Sequence, residues 1–134
     1  MHPQRKGDAT ESRILHGFLR REIPVSIPFG DNERYDMVVE SDGTFERVQC
    51  KTGRYKNGCV IFDCSNVNLH DGERHDYHGD IEYFAVYCDY TEEVYMLPVE
   101  ETGRSEKSLR VEEPEQTSSR ITWAEDYEID TFLQ

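Results

Sequence analysis

Gln49 and Lys51 stand two positions apart in RVQCKTGRYK, residues 47–56. The stretch alternates as a strand does, so Gln49 and Lys51 project from one face and Val48 and Cys50 from the other. Asp36 in YDMVVE occupies a strand position, where Asp is disfavoured. Glu11 heads the apolar face of the first helical segment, in line with Ile14, Leu15 and Phe18. Each residue alone has an ordinary reading. Glu11 completes a capping box, Asp36 is an exposed strand-end acid, and Gln49 and Lys51 are the solvated face of an edge strand. Together they describe something else. An acid, an amide oxygen and an ammonium converge on one hairpin, and a helix can bring a second carboxylate to the same spot. Phosphodiester hydrolysis needs such a set. Hard oxygen ligands from Asp36, Glu11 and Gln49 suit Mg²⁺, with Mn²⁺ as a substitute. A bound cation activates water and stabilises charge on phosphate oxygens. Lys51 can orient or activate the water, or neutralise the transition state.

The elements that must position these residues follow from local signals. GDATESRILHGFLRRE reads as a helix. Asp8 is its N-cap, Glu11 the third residue of its capping box, and Ile14, Leu15, Phe18 and Leu19 its apolar stripe, with Pro24 as the stop. PVSIPF (24–29) is a short strand or extended arm, and GDN (30–32) a turn. Residues 34–40 and 44–52 form a hairpin about the SDG turn at 41–43, which sets Asp36 opposite Val48–Gln49. YKNG turns again into a third strand, CVIFDC (59–64), giving an antiparallel meander. YFAVYCD (83–89) is nearly all apolar and reads as a central strand, with VYMLPV (94–99) returning beside it. Residues 65–80 are expected to be a loop of roughly fifteen residues. The stretch after residue 100 is weakly patterned until ITWAEDYEIDTFL, where a short helix carrying Ile121, Trp123 and Ala124 closes the domain.

The length fits one domain over 1–134. No apolar run reaches the ~18 residues of a membrane span, and the first residues lack a signal peptide's apolar core, so a cytoplasmic protein without a membrane partner is expected. Cysteines 50, 59, 64 and 88 match neither a zinc ribbon nor a redox motif and are expected to be free thiols. The net charge is −13, with eleven Arg and only four Lys, a composition suited to a salt-rich cytoplasm such as a halophile's. The sum argues against nucleic acid as partner, but binding depends on the local patch. Arg47, Lys51, Arg54 and Lys56 crowd one stretch, and with Arg5, Lys6, Arg13 and Arg34 they can form such a patch for phosphate contacts. Ordinary exposed charge is the alternative. His70, His75 and His78 cluster with Asp71, Asp76 and Asp80, at a spacing that matches no standard zinc site. Tyr77 can stack on a base or pack on the sheet. Asp63 and Glu82 read as structural.

The pattern E…YD…VQCK resembles the PD-(D/E)XK nuclease superfamily, with QxK where most members have ExK. KGDATESRIL, IPFGDNERYDMVV, RVQCKTGR and YFAVYCDYTEEVYMLPV together resemble the group I intron-associated endonuclease family over about residues 6–110, with 111–134 as an extension. Archaeal Holliday junction resolvases share the layout. The resemblance implies an α/β, restriction-endonuclease-like mixed sheet flanked by helices. It also implies a Mg²⁺-dependent DNA endonuclease with Glu11, Asp36, Gln49 and Lys51 as its catalytic set. Cutting both strands needs two sites, so a homo-oligomer, dimer or tetramer, is expected. The alternatives are a Holliday junction resolvase and a non-catalytic DNA-binding module on the same scaffold. A neutral Gln49 holds Mg²⁺ less strongly than a carboxylate and makes Glu11 the more important source of charge.

Overall fold

The computed structural model describes residues 2–30, 33–67, 72–116 and 120–133. The first helix, α1 (Pro3–Arg20), begins earlier than the sequence suggests. His2 is the N-cap, its ring Nδ1 accepting the Gln4 N–H at 3.2 Å, and Pro3 occupies the first turn, where its missing N–H costs nothing. Asp8 therefore lies inside the helix and accepts a hydrogen bond from the Gln4 amide. Glu11 is mid-helix, with no N-terminal amide to cap. The capping reading of Glu11 falls with that shift.

α1 also ends before Pro24. Glu22 takes a left-handed φ of 60°, the Ile23 N–H bonds Phe18 O and the Glu22 N–H bonds Leu19 O, which is a Schellman motif. Ile14 and Phe18 are buried, while Leu19 is 55% exposed rather than part of the stripe. Thr10 and Gly17 complete the packed face instead.

The chain then builds a mixed sheet. β1 (Val25–Ser26) pairs with β2 (Met37–Ser41), and β2 with β3 (Thr44–Lys56), both antiparallel. The β2–β3 turn is Asp42-Gly43 and the next is Asn57-Gly58, all four residues at positive φ. Such two-residue turns carry the right-handed twist of a hairpin. β4 (Cys59–Asp63) follows antiparallel to the outer end of β3. After a small hairpin, β5 (Ser65–Val67) with β6 (Arg74–Asp76), come β7 (Tyr83–Cys88) and β8 (Glu93–Pro98). β7 pairs parallel with β3 on one side and antiparallel with β8 on the other, so it is internal, as its apolar run implies. β9 (Glu106–Arg110) pairs antiparallel with β4.

Three expectations change here. Residues 65–80 contain a hairpin rather than only loop. The polar stretch after residue 100 contains a sheet strand. The C-terminal helical pieces start later than Ile121, as a 3₁₀ turn at Ala124–Tyr127 and the short α2 at Ile129–Phe132.

Alternation along β7 divides the core. Ala85 and Tyr87 pack with Ile14, Phe18, Val48 and Met96 on the α1 side. Phe84, Val86 and Cys88 pack with Val60, Phe62, Tyr77 and Leu109 on the other. β3 joins the two halves of the sheet at Gly53. A Cβ there would lie 2.7 Å from Val60 Cγ1 and 2.9 Å from Val86 Cγ1, so only glycine lets β4 and β7 close around it. All four cysteines are free. No helix among the described residues is long and apolar enough to cross a membrane.

Candidate active site

The site is built where β2 stops pairing with β3. Met37 is opposite Val48, so the register carries Asp36 opposite Gln49, within the span expected from the turn. The Asp36 N–H still bonds Val48 O at 2.8 Å. One step on, β2 has no backbone acceptor to offer. The Asp36 side chain takes over, its Oδ2 accepting the Cys50 N–H at 2.8 Å. One carboxylate oxygen is thereby fixed to the strand and the other is left to the site. Antiparallel partners share a face, so Asp36 and Gln49 lie together, and Lys51 follows Gln49 on that face.

Glu11 arrives from α1, on the other side of β3. α1 is clamped to the strand beside it by a 2.7 Å hydrogen bond between the Thr10 and Thr52 hydroxyls. Glu11 and Asp36 line one cavity of about 220 Å³ with Ile27, Pro28, Glu33 and Tyr35. Both carboxyl groups are held above their ordinary range. Burial is the main cause for each; the charge of Asp36 adds to it at Glu11, while the Cys50 N–H and Lys51 oppose it at Asp36. Burial pushes the Lys51 ammonium the other way, below its ordinary value, against the attraction of Asp63 and Asp36. The Cys50 thiol, turned toward the α1 side, is raised well above its usual value by burial and then by Asp36 and Glu11, so it stays protonated.

The arginines and lysines are spread more widely. Arg34 is close to the site, its guanidinium 4.2 Å above the Tyr77 ring, with bonds to Asp76 O at 2.9 Å and to Asp80 at 3.4 Å. Arg47 is engaged by Glu82, which accepts both its backbone N–H, at 2.7 Å, and its guanidinium. Arg54 pairs with Asp63 and Glu106. Arg13 is two residues from Glu11 on α1 and so turned to another flank, over Tyr87 at 5.8 Å. Lys56 is exposed at the end of β3.

His70 and Asp71 lie outside the described residues. His78 and Asp76 bond each other, and Arg104 pairs with Asp76. Among the described residues no three His, Cys, Asp or Glu side chains gather as a metal cluster. Three carboxyl groups, Glu11, Glu33 and Asp36, line the cavity, and the two expected from the sequence, Glu11 and Asp36, offer oxygen donors together with the Gln49 amide. Mg²⁺ is commonly held by one or two carboxylates, with water and phosphate oxygens completing its shell, so the set fits that cation. Tyr77 packs on the sheet, 3% exposed and edge-on to Phe84. Its contact with Arg34 joins residues far apart in the chain, and the only hint in the sequence was an aromatic in a polar loop.

The fold is that of a nuclease scaffold, and the chain belongs to the PD-(D/E)XK endonuclease family, whose model matches residues 1–130. Among solved structures it is similar to a bacterial homing endonuclease, I-Ssp6803I. The two are 26% identical with a TM-score of 0.78, over 99% of this chain and 93% of that one. No curated protein matches. The chain is accordingly a nuclease with an α/β, restriction-endonuclease-like fold.

Proposed function

We propose that this protein is a Mg²⁺-dependent DNA endonuclease of the homing-endonuclease kind, with Glu11, Asp36 and Gln49 as cation ligands and Lys51 as the group that handles the attacking water. One observation carries the reading: Asp36, Gln49 and Lys51 share a face of one hairpin while Glu11 enters the same cavity as Asp36. When bound, the cation would lower the pKa of a water and stabilise charge on the scissile phosphate. The chain's own residues do the rest. Asp36 is aimed by its bond to the Cys50 N–H. Lys51, half-buried, gives up its proton more readily than an exposed lysine because burial disfavours its charge, and its ammonium can orient the nucleophilic water. Arg34 beside it supplies positive charge, and Lys56 and Arg13 are the exposed cations for more distant phosphates. Arg47 and Arg54 reach DNA only by leaving their carboxylate partners. The protein works in the cytoplasm as a symmetric dimer or tetramer, since each domain holds one site and a duplex has two strands.

Cleavage of supercoiled plasmid, a four-way junction and single-stranded DNA tests this, with Mg²⁺ or Mn²⁺, in wild type and Lys51→Ala. Duplex cleavage that needs the cation and is lost in the variant is expected. Equal, residual cleavage of all three substrates by both proteins would sink the reading. Preference for the junction would point to a resolvase. Calorimetry showing DNA binding but no cation binding would point to a non-catalytic module.

A further inference from the structure

We infer that Tyr77 is a positioning residue of this site, its ring holding the Lys51 ammonium at 5.0 Å and the Arg34 guanidinium at 4.2 Å from the centroid so that both cations serve one phosphate. The inference rests on the nuclease reading of Lys51 given above.

Tyr77 follows β6 in a polar stretch, yet only 3% of it is exposed. Its edge contact with Phe84 of β7, centroids 5.4 Å apart, fixes the ring against the sheet. The two cations it meets come from different elements, Lys51 from β3 and Arg34 from the segment before β2. Both lie over the one ring, at 4.2 and 5.0 Å from its centroid, so their like charges repel. An aromatic face attracts cations through its quadrupole and offsets that repulsion. Arg34 has further anchors in Asp76 O and Asp80. Its buried Nε has no hydrogen-bond partner among the described residues, so the ring replaces part of a normal arginine shell. Lys51 makes no ion pair among the described residues, with Asp36 and Asp63 acting on it at longer range. The Tyr77 ring is therefore the close contact that selects a direction for its flexible four-carbon stem.

Tyr77→Leu removes the ring and Tyr77→Phe keeps it. Single-turnover cleavage of duplex DNA with Mg²⁺ measures the chemistry, and fluorescence anisotropy with Ca²⁺ measures binding. For Tyr77→Leu a fall in kcat of about tenfold or more is expected, with DNA affinity and KM nearly unchanged. Tyr77→Phe, which keeps the ring and loses only the hydroxyl that bonds the Arg34 side chain, is expected to lose no more than about two- to threefold. Equal losses in the two variants, or a loss confined to KM and affinity, would overturn the inference. A second measurement needs no variant. The Lys51 ε-methylene protons, over an aromatic face, are expected to be shifted upfield of those of the other three lysines in proton–carbon NMR. An unshifted resonance also overturns it. A wild-type protein that cuts no DNA sinks the nuclease reading instead, and the Lys51 resonance still decides whether the ring holds the ammonium.

Discussion

The Asp36 carboxylate accepts the Cys50 backbone N–H at 2.8 Å, at the point where the β2–β3 ladder runs out. The side chain proposed as a cation ligand thus doubles as the last rung of a sheet. Its two roles separate by substitution. Asp36→Asn keeps an oxygen to accept the N–H and loses the charge. Cleavage is expected to vanish while the thermal midpoint holds or rises, because a carboxylate disfavoured by burial has gone. Asp36→Ala leaves the Cys50 N–H without its acceptor and is expected to cost about 1–2 kcal/mol as well. Plasmid cleavage and thermal melts on both variants check this. Equal destabilisation by the two would show that the rung does not matter.

Gly53 links β3, the strand of Gln49 and Lys51, to the core. Its added Cβ would press on Val60 and Val86, both β-branched and fully buried, with no flexible end to move aside. Gly53→Ala is expected to destabilise the fold by about 1–3 kcal/mol, the usual cost of overpacking. Lys51 is two residues away on the same strand, so cleavage should fall too. A urea midpoint equal to wild type would mean that β4 and β7 can part without cost.

What could be read beforehand depended on range. The Asp-Gly and Asn-Gly turns and the alternation of 47–52 are local, and they put Gln49 and Lys51 on one face with Asp36 opposite Val48–Gln49; the ladder register settles that the partner is Gln49. The start of α1 was misjudged because Asp8 and Glu11 imitate a capping box, and nothing local ranks that signal against His2-Pro3 one turn earlier. β9 was missed because EKSLR buries only Leu109 fully; its strand state comes from the free edge of β4 and not from its own pattern. The partners of Arg34, Arg47 and Arg54 were illegible for a similar reason. Glu82 is 35 residues from Arg47, and only the parallel β3–β7 pairing brings its segment alongside.

The proposed ligand set makes Gln49 the residue that tunes the demand for metal. Gln49→Glu restores the commoner carboxylate beside Asp36. Without cation, a further acid should lower the thermal midpoint by charge repulsion, since Glu11 and Asp36 already resist ionisation. With Mg²⁺ the same variant should gain more stability than wild type, and need roughly tenfold less cation for half-maximal cleavage. Melts with and without Mg²⁺, and cleavage across a Mg²⁺ titration, test the two signs together. A midpoint that rises without cation would remove Gln49 from the ligand set. Chelation by EDTA should abolish cleavage in both proteins.

The Arg47–Glu82 pair predicts a pH dependence away from the site. The Arg47 guanidinium bonded to it holds the Glu82 carboxyl below its ordinary value of 4.5. A carboxyl that ionises more readily folded than unfolded stabilises the fold above its unfolded pKa. That contribution is lost as pH falls through the folded value. Both side chains are a third or more exposed, Arg47 at 40% and Glu82 at 33%, so solvent screening limits the pair to about 0.5–1 kcal/mol. Glu82→Gln keeps an acceptor for the Arg47 N–H and removes the charge. Its urea midpoint should lie below that of wild type at pH 7, and the two should converge as pH drops below about 4. Because its guanidinium is committed to Glu82, Arg47→Ala should lower stability and leave DNA affinity nearly unchanged. A constant gap between wild type and Glu82→Gln across that range, or a large loss of DNA affinity in Arg47→Ala, would mean that Arg47 leaves Glu82 for the phosphate backbone.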